Sequence, residues 1–185
     1  QAAEHHADQA LAVLEGLPVS AELAMAYSVR SQMRMLQDRT DEAIAWGERA
    51  LALARQLGDT EIRVHALNNV GTAMLFANRP GGQQRLQESL ALALQGGFHE
   101  HAARVYTNVG EHAVVFKDFA RAETFITEGI RFDTEHDLDA WTHYLTGWLA
   151  QLRFEQGRYD QAQQIAQQVL SIDRIVAVVG SEVIT

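Results

Sequence analysis

Three histidines lie near one another in this sequence, and histidine is the side chain that most often binds metal ions in proteins. They are His99, His101 and His112. Residues two apart lie on different sides of a helix, and no Asp or Glu falls at ligand spacing on the same face. We therefore interpret these three as surface histidines and predict no metal site.

A second candidate for chemistry is the acidic stretch DTEHDLD, residues 133–139. It lacks the alternating oxygen ligands and the turn glycine of a calcium loop, so a helix end followed by a loop explains it better. The sequence also contains no G-x-S-x-G, no phosphate-loop lysine motif and no G-x-G-x-x-G. We predict no catalytic residue, no cofactor and no enzymatic activity.

A repeated asparagine is more informative, because its amide could bind a peptide backbone. Asn69-Val70-Gly71 returns 39 residues later as Asn108-Val109-Gly110. Small residues return at similar steps along the whole chain, and internal periodicity of this kind indicates a repeat protein. The three series are Ser31, Gly71, Gly110, Ala150; Ala3, Ala43, Gly82, Ala122, Ala162; and Ala10, Ala50, Ser89, Gly129, with Val169 in the last copy.

Spacing within each copy predicts a pair of helices. The second and third small residues are 7 apart, which is two helical turns, so they share one face. The first and second are 11 or 12 apart, with a polar break such as FKDFAR between them. That break is typical of the end of one helix and the start of the next.

The pattern resembles the tetratricopeptide repeat (TPR) family. In the third copy Tyr106, Val109-Gly110, Phe119, Ala122 and Gly129-Ile130 match its large, small and aromatic positions. The fourth copy matches at Leu149-Ala150, Gly157, Tyr159, Ala162 and Val169-Leu170, whereas Arg30 departs from the pattern in the first. The period of about 40 exceeds the usual value of about 34 and is shared with HEAT repeats, but the small-residue spacing favours TPR.

The predicted fold is therefore all-α, with about ten helices in stacked antiparallel pairs, which the resemblance implies form a right-handed α-solenoid. One domain covers 1–185: a half repeat at 1–15, pairs at about 21–57, 60–96, 99–136 and 138–171, and a partial repeat at 174–185. Predicted N-caps are Thr40, Asp59, Asp118 and Asp139, and Gly58 and Gly157 follow helical runs as left-handed caps would.

Ligands of such repeat proteins bind on the concave side, which the first helix of each pair lines. On each first helix, one stripe of residues packs inward against other helices. We expect the adjacent stripe to face this groove, where an asparagine amide can donate a hydrogen bond to a ligand and accept one from it. Alternatively, the asparagine side chains bind only water or cap their own helix. A site that clamps the C-terminal carboxylate of a ligand is disfavoured, because it uses a cluster of basic residues on these helices and only Arg104 lies at such a position. The predicted ligand-binding residues are His65, Asn68, Asn69, Thr72, Arg104, Thr107, Asn108, Glu111, Tyr144, Trp148 and Gln151.

Composition limits the partners. The formal net charge is −9, which repels nucleic acid, and no apolar run reaches the roughly 18 to 20 residues needed to cross a membrane. Cysteine is absent, which is compatible with a reducing cytoplasm. Because Gln1 opens directly into a helical pattern without an initiating Met, we expect a fragment of a larger protein.

Phrases such as DEAIAWGERALALARQLGD, ALNNVGTAML and EHDLDAWTHYLTGWLAQL resemble the TPR-like region of LuxR-type, MalT-like bacterial transcriptional regulators, over about residues 8–180. The resemblance implies a parent with an ATP-binding domain and a DNA-binding domain, neither in this segment. It also implies that the helical region is a sensor or a surface for partners.

Three functions follow as hypotheses. The first is a non-catalytic module that binds a protein or peptide in its concave groove. The second is an effector-sensing domain that binds a small molecule, which Tyr144 and Trp148 favour because such pockets have aromatic walls. The third is a structural spacer or oligomerisation scaffold.

The last residues, RIVAVVGSEVIT, predict self-association as a homodimer. Aliphatic side chains occupy several sides of one predicted helix, and exposed apolar surface of this kind is usually buried by a partner. The β-branched run also leaves an extended conformation open. The residues concerned are Ile175, Val176, Val178, Val179, Val183 and Ile184.

Overall fold

The structure, a computed structural model, describes residues 2–169. This part of the chain folds into nine α-helices and contains no strand, which confirms the predicted all-α class. The helices are α1 (Ala2–Glu15), α2 (Ala21–Met35), α3 (Thr40–Leu57), α4 (Thr60–Phe76), α5 (Gly82–Gly96), α6 (His99–Val115), α7 (Phe119–Glu135), α8 (Asp139–Glu155) and α9 (159–169).

The turns between helices repeat in backbone conformation. Residues with positive φ end the first helices of the pairs at intervals of 40, 39 and 40, and end the second helices at intervals of 39 and 40. A left-handed residue after the last turn is a common way to end a helix and to satisfy its free carbonyls. The same turn therefore recurs at the period of the sequence. The first set is Asp38, Asn78, Lys117 and Gly157, and the second is Gly58, Gly97 and Asp137.

Helix starts agree with the predicted caps in two of four cases. The Asp59 carboxylate accepts from the Ile62 backbone N–H at 2.9 Å, and Asp118 caps α7 in the same way. The caps predicted at Thr40 and Asp139 are wrong, because each is the first residue inside its helix.

The chain divides into two compact units, Gln1–Val105 and Tyr106–Thr185. In the first unit, consecutive helices α1 to α4 pack around Leu11, Tyr27, Leu51 and Leu67. The predicted small residues lie at the close contacts. A Cβ on Gly71 would come within 2.8 Å of the Leu86 side chain, so the α4–α5 contact requires glycine there.

The second unit uses the same device. A Cβ on Gly110 would lie 2.9 Å from the Ile126 side chain, and one on Gly129 would lie 2.5 Å from Leu145. Tyr106 packs against Phe132 with ring centroids 5.6 Å apart. Small residues thus bring α6, α7 and α8 close together at the positions that the periodicity predicted.

None of the helices within residues 2–169 has the length and apolar composition that a membrane span requires. The predicted helix from about residue 174 and the predicted dimer surface lie outside the described residues.

Candidate ligand-binding surfaces

Polar side chains from three first helices meet in the interior of the first unit. Ser28 of α2, His65 and Asn69 of α4, and His101 and Arg104 of α6 form what we call the polar cluster. The two α4 residues are four apart and the two α6 residues three apart, so each pair shares one face of its helix. The polar cluster therefore lies where these faces of α4 and α6 meet Ser28 of α2.

Hydrogen bonds connect this cluster across the helices. The Ser28 Oγ lies 2.7 Å from the His65 Nδ1, and the Asn69 Nδ2 donates to the Ser28 carbonyl at 2.9 Å. The Arg104 Nη2 donates to the Asn69 Oδ1, also at 2.9 Å. The repeated asparagine thus uses both ends of its amide to join α2 to α4 and α4 to α6.

Burial determines the charge state of the cluster. It lowers the pKa of His65 to about 3, and the positive charge of Arg104 adds to that effect. Burial, followed by Arg104, also lowers the pKa of His101, although Glu61, whose carboxylate lies 3.5 Å from the His101 Nε2, acts in the opposite direction. Burial lowers the pKa of Arg104 to about 10. At neutral pH His65 is therefore neutral and Arg104 carries the positive charge.

A serine hydroxyl beside an imidazole is also the arrangement of nucleophilic catalysis. Ser28, however, is 0% exposed, so its oxygen cannot reach a substrate in this structure. The geometry fits helix packing and gives no support to a catalytic pair.

The expectation that the α4 residues face an open groove is wrong. Asn68 and Asn69 are 0% exposed and His65 is 7% exposed, while Thr72, also on α4, and Thr107 of α6 are likewise buried. The physical reason in α4 is that nearly every residue from Ile62 to Ala73 is buried, as expected for a helix enclosed by neighbours on all sides. The prediction assumed that one side of α4 is exposed to solvent, and α4 has no such side.

The second unit contains an open groove of about 810 Å³. One face of α8 forms its floor, since the α8 residues that line it recur every three or four positions. The end of α6, the turn after it and the last described residue of α9 complete the walls. The lining consists of Val114, Val115, Lys117, Ala140, His143, Tyr144, Gly147, Trp148, Gln151, Glu155 and Val169.

The side chains that line this groove include partly exposed aromatic and aliphatic ones. Tyr144 is 50% exposed and Val115 49% exposed, whereas Trp148 is half-buried. No atom lies within 4 Å of a Cβ placed on Gly147, so the α8 backbone is accessible there. Lys117 and Glu155 form an ion pair at one side. The groove therefore offers an apolar surface whose lining charges are paired with each other.

Glu111 lies beside the groove, one helical turn before Val115 on α6. Its carboxylate accepts a long hydrogen bond of 3.4 Å from the Tyr144 hydroxyl. Burial raises the pKa of Glu111, and the bond from Tyr144 partly offsets that effect.

The predicted residues thus fall into three groups. Tyr144, Trp148 and Gln151 line the groove and Glu111 contacts one of them, whereas His65, Asn68, Asn69, Thr72 and Thr107 are buried. Arg104 and Asn108 are partly exposed. Their binding of a ligand stays a prediction.

Sequence reasoning missed Ser28, Val115 and Lys117 as site residues. Its assignment of His101 to the surface is wrong, because the ring packs against His65 and the side chain is only 15% exposed. A signal for Ser28 was present, since it precedes Asn69 by 41 residues, about one period, on the preceding first helix. Among the side chains that the structure describes, no group of three His, Cys, Asp or Glu could hold a metal ion. Comparison with models of known protein families and with curated proteins finds no match to the chain.

Proposed function

We propose that this chain is a non-catalytic binding module that takes a protein or peptide segment into the groove of the second unit. The observation that carries the proposal is the groove itself, about 810 Å³ in volume and lined by exposed and half-buried aromatic residues of α8. Aromatic side chains supply much of the binding energy in protein interfaces because they bury a large rigid surface. Tyr144 and Trp148 are the expected anchors.

The openness of the groove favours a chain segment as the ligand. Tyr144 and Val115 keep about half of their surface in solvent, so a ligand bound there would stay partly exposed along its length. Gly147 has no side chain, which would let the backbone of an extended or helical peptide approach α8. A drug-sized molecule is normally enclosed much more completely, with roughly 70–90% of its surface buried.

A small-molecule effector is the second candidate, and the size of the groove favours it. Volumes of roughly 300 to 1,000 Å³ are usual for small-molecule sites. Under this alternative the module would sense an apolar or aromatic effector.

The resemblance to TPR regions of LuxR-type, MalT-like regulators supports a place for the module in a bacterial signalling protein of the cytoplasm. Occupation of the groove would then be the event that the regulator senses. The formal charge of −9 argues against nucleic acid as the partner of this segment. If nothing binds in the groove, the third hypothesis, a structural spacer or oligomerisation scaffold, remains.

A peptide selection tests the proposal. A random decapeptide library is selected against the parent chain and against Gly147→Trp, which fills the groove where a side chain has free space. The matched control is Glu128→Trp, at an exposed position of α7 that does not line the groove. We expect peptides that bind the parent and the control but not Gly147→Trp.

Two outcomes would count against the proposal. Peptides that bind all three chains equally would place binding elsewhere. If no peptide binds, thermal shift with a metabolite collection decides between the effector and spacer readings, because a ligand that binds only the folded state raises the melting temperature.

A further inference from the structure

Several glutamates of the second unit are in contact with a basic residue, and Glu111 differs from them. Glu123 pairs with Arg153, Glu135 with Arg131, and Glu155 with Lys117. The Glu111 carboxylate has only the 3.4 Å hydrogen bond from Tyr144, and no Lys or Arg of residues 2–169 forms an ion pair with it.

The surroundings of Glu111 make this arrangement costly. Glu111 is partly buried, and removing a carboxylate from water without a counter-charge is unfavourable. The raised pKa of Glu111 reports the same cost, with burial as its main cause. A cation placed beside the carboxylate would offset it.

The position of Glu111 directs such a cation to the groove. Glu111 and Val115 are four residues apart on α6, so they share one face of the helix, and Val115 lines the groove. The Tyr144 hydroxyl reaches the Glu111 carboxylate, and Tyr144 also lines the groove. A cation at this end would have a carboxylate on one side and an aromatic face on another, which is the arrangement of a cation–π site.

The charge of the rest of the groove is compatible with a cationic ligand. Lys117, the one lysine in the described lining, is paired with Glu155. The chain as a whole carries a formal charge of −9, which attracts cationic ligands at long range.

We propose that the segment bound in the groove carries a lysine or arginine side chain between apolar residues, and that Glu111 and the Tyr144 ring hold its cationic group. The inference rests on the proposed function of the groove and adds the chemical class of its ligand. The apolar neighbours of the cation would contact Val115 and Trp148.

The peptides that lose binding to Gly147→Trp supply the test. We expect them to share a basic residue flanked by apolar ones. For one such peptide, Glu111→Gln should weaken binding roughly tenfold, as should replacement of the basic residue by norleucine. The two changes made together should cost about as much as either alone, because they remove the same interaction. Glu128→Gln, on the exposed face of α7, is the matched control and should bind like the parent.

The failures of the two proposals are distinguishable. Groove-specific peptides without a basic residue, or additive effects of Glu111→Gln and norleucine, would overturn the cationic ligand while leaving groove binding intact. A selection that yields no groove-specific peptide would remove both. The norleucine peptide is measured on the parent chain, so it does not depend on how Glu111→Gln folds.

Discussion

Mild acid should destabilise the first unit, because His65 is protonated in the unfolded chain and stays neutral in the folded one. His65 is 7% exposed and its pKa is lowered to about 3, mainly by burial and then by the charge of Arg104. In the unfolded chain a histidine has a pKa of about 6.5. Between these two values the unfolded state binds more protons than the folded state, so stability falls as pH falls.

The magnitude of this loss of stability follows from how far the pH lies below the pKa of histidine in the unfolded chain. Each pH unit below about 6.5 costs about 1.4 kcal/mol until the folded pKa is reached. At pH 5 the loss attributable to His65 is therefore about 2 kcal/mol, and above about pH 7.5 it vanishes. His101, whose pKa is lowered as well, adds to the loss in the same direction.

Urea denaturation of the parent and of His65→Gln at pH 8 and pH 5 measures this effect. The free energy of unfolding of the parent should fall by about 2 kcal/mol more than that of His65→Gln over this range, because the other titrating groups are common to both. His99→Gln, at an exposed position of α6, controls for the substitution itself. Equal pH dependence in the parent and His65→Gln would refute the buried neutral imidazole.

Two further predictions concern packing and capping. Gly110→Leu should lower the free energy of unfolding by roughly 1–3 kcal/mol, since a Cβ at this position would lie 2.9 Å from the Ile126 side chain. The control is Gly147→Leu, where the new side chain has free space, and its thermal melt should show no loss of stability. Equal melting temperatures of the two variants would contradict the close contact at Gly110. Asp59→Ala should cost about 1 kcal/mol by removing the cap of α4. Asp139→Ala should cost less because Asp139 lies inside α8, and a larger loss there in urea denaturation would show that the cap assignment is wrong.

The helix pairs could be predicted from the sequence because their contacts depend on side-chain size at fixed intervals. Gly71 and Gly110 were identified by spacing, and the structure places both where a Cβ would clash. The left-handed turn at Lys117 could not be predicted in this way, since lysine has no local preference for that conformation. The recurring turn of the repeat imposes it.

The candidate site was less predictable than the fold. Periodicity tells which residues share a face of a helix, but not how closely the next helix covers that face. Asn69 and Trp148 were assigned to the same groove, yet the first is enclosed between α2 and α6 and the second lines an open groove. The partners of Asn69 lie about one period away on either side, at distances of 41 and 35 residues.

Protection of a single thiol is the most direct measurement of binding in the groove. The chain contains no cysteine, so Gly147→Cys introduces the only thiol, on the floor of the groove, and Glu128→Cys provides a thiol on exposed α7. The rate of alkylation by a maleimide is followed with and without a saturating concentration of a selected peptide. We predict that the peptide slows alkylation in Gly147→Cys and leaves the rate in Glu128→Cys unchanged. Equal rates with and without the peptide in Gly147→Cys would contradict a ligand in the groove.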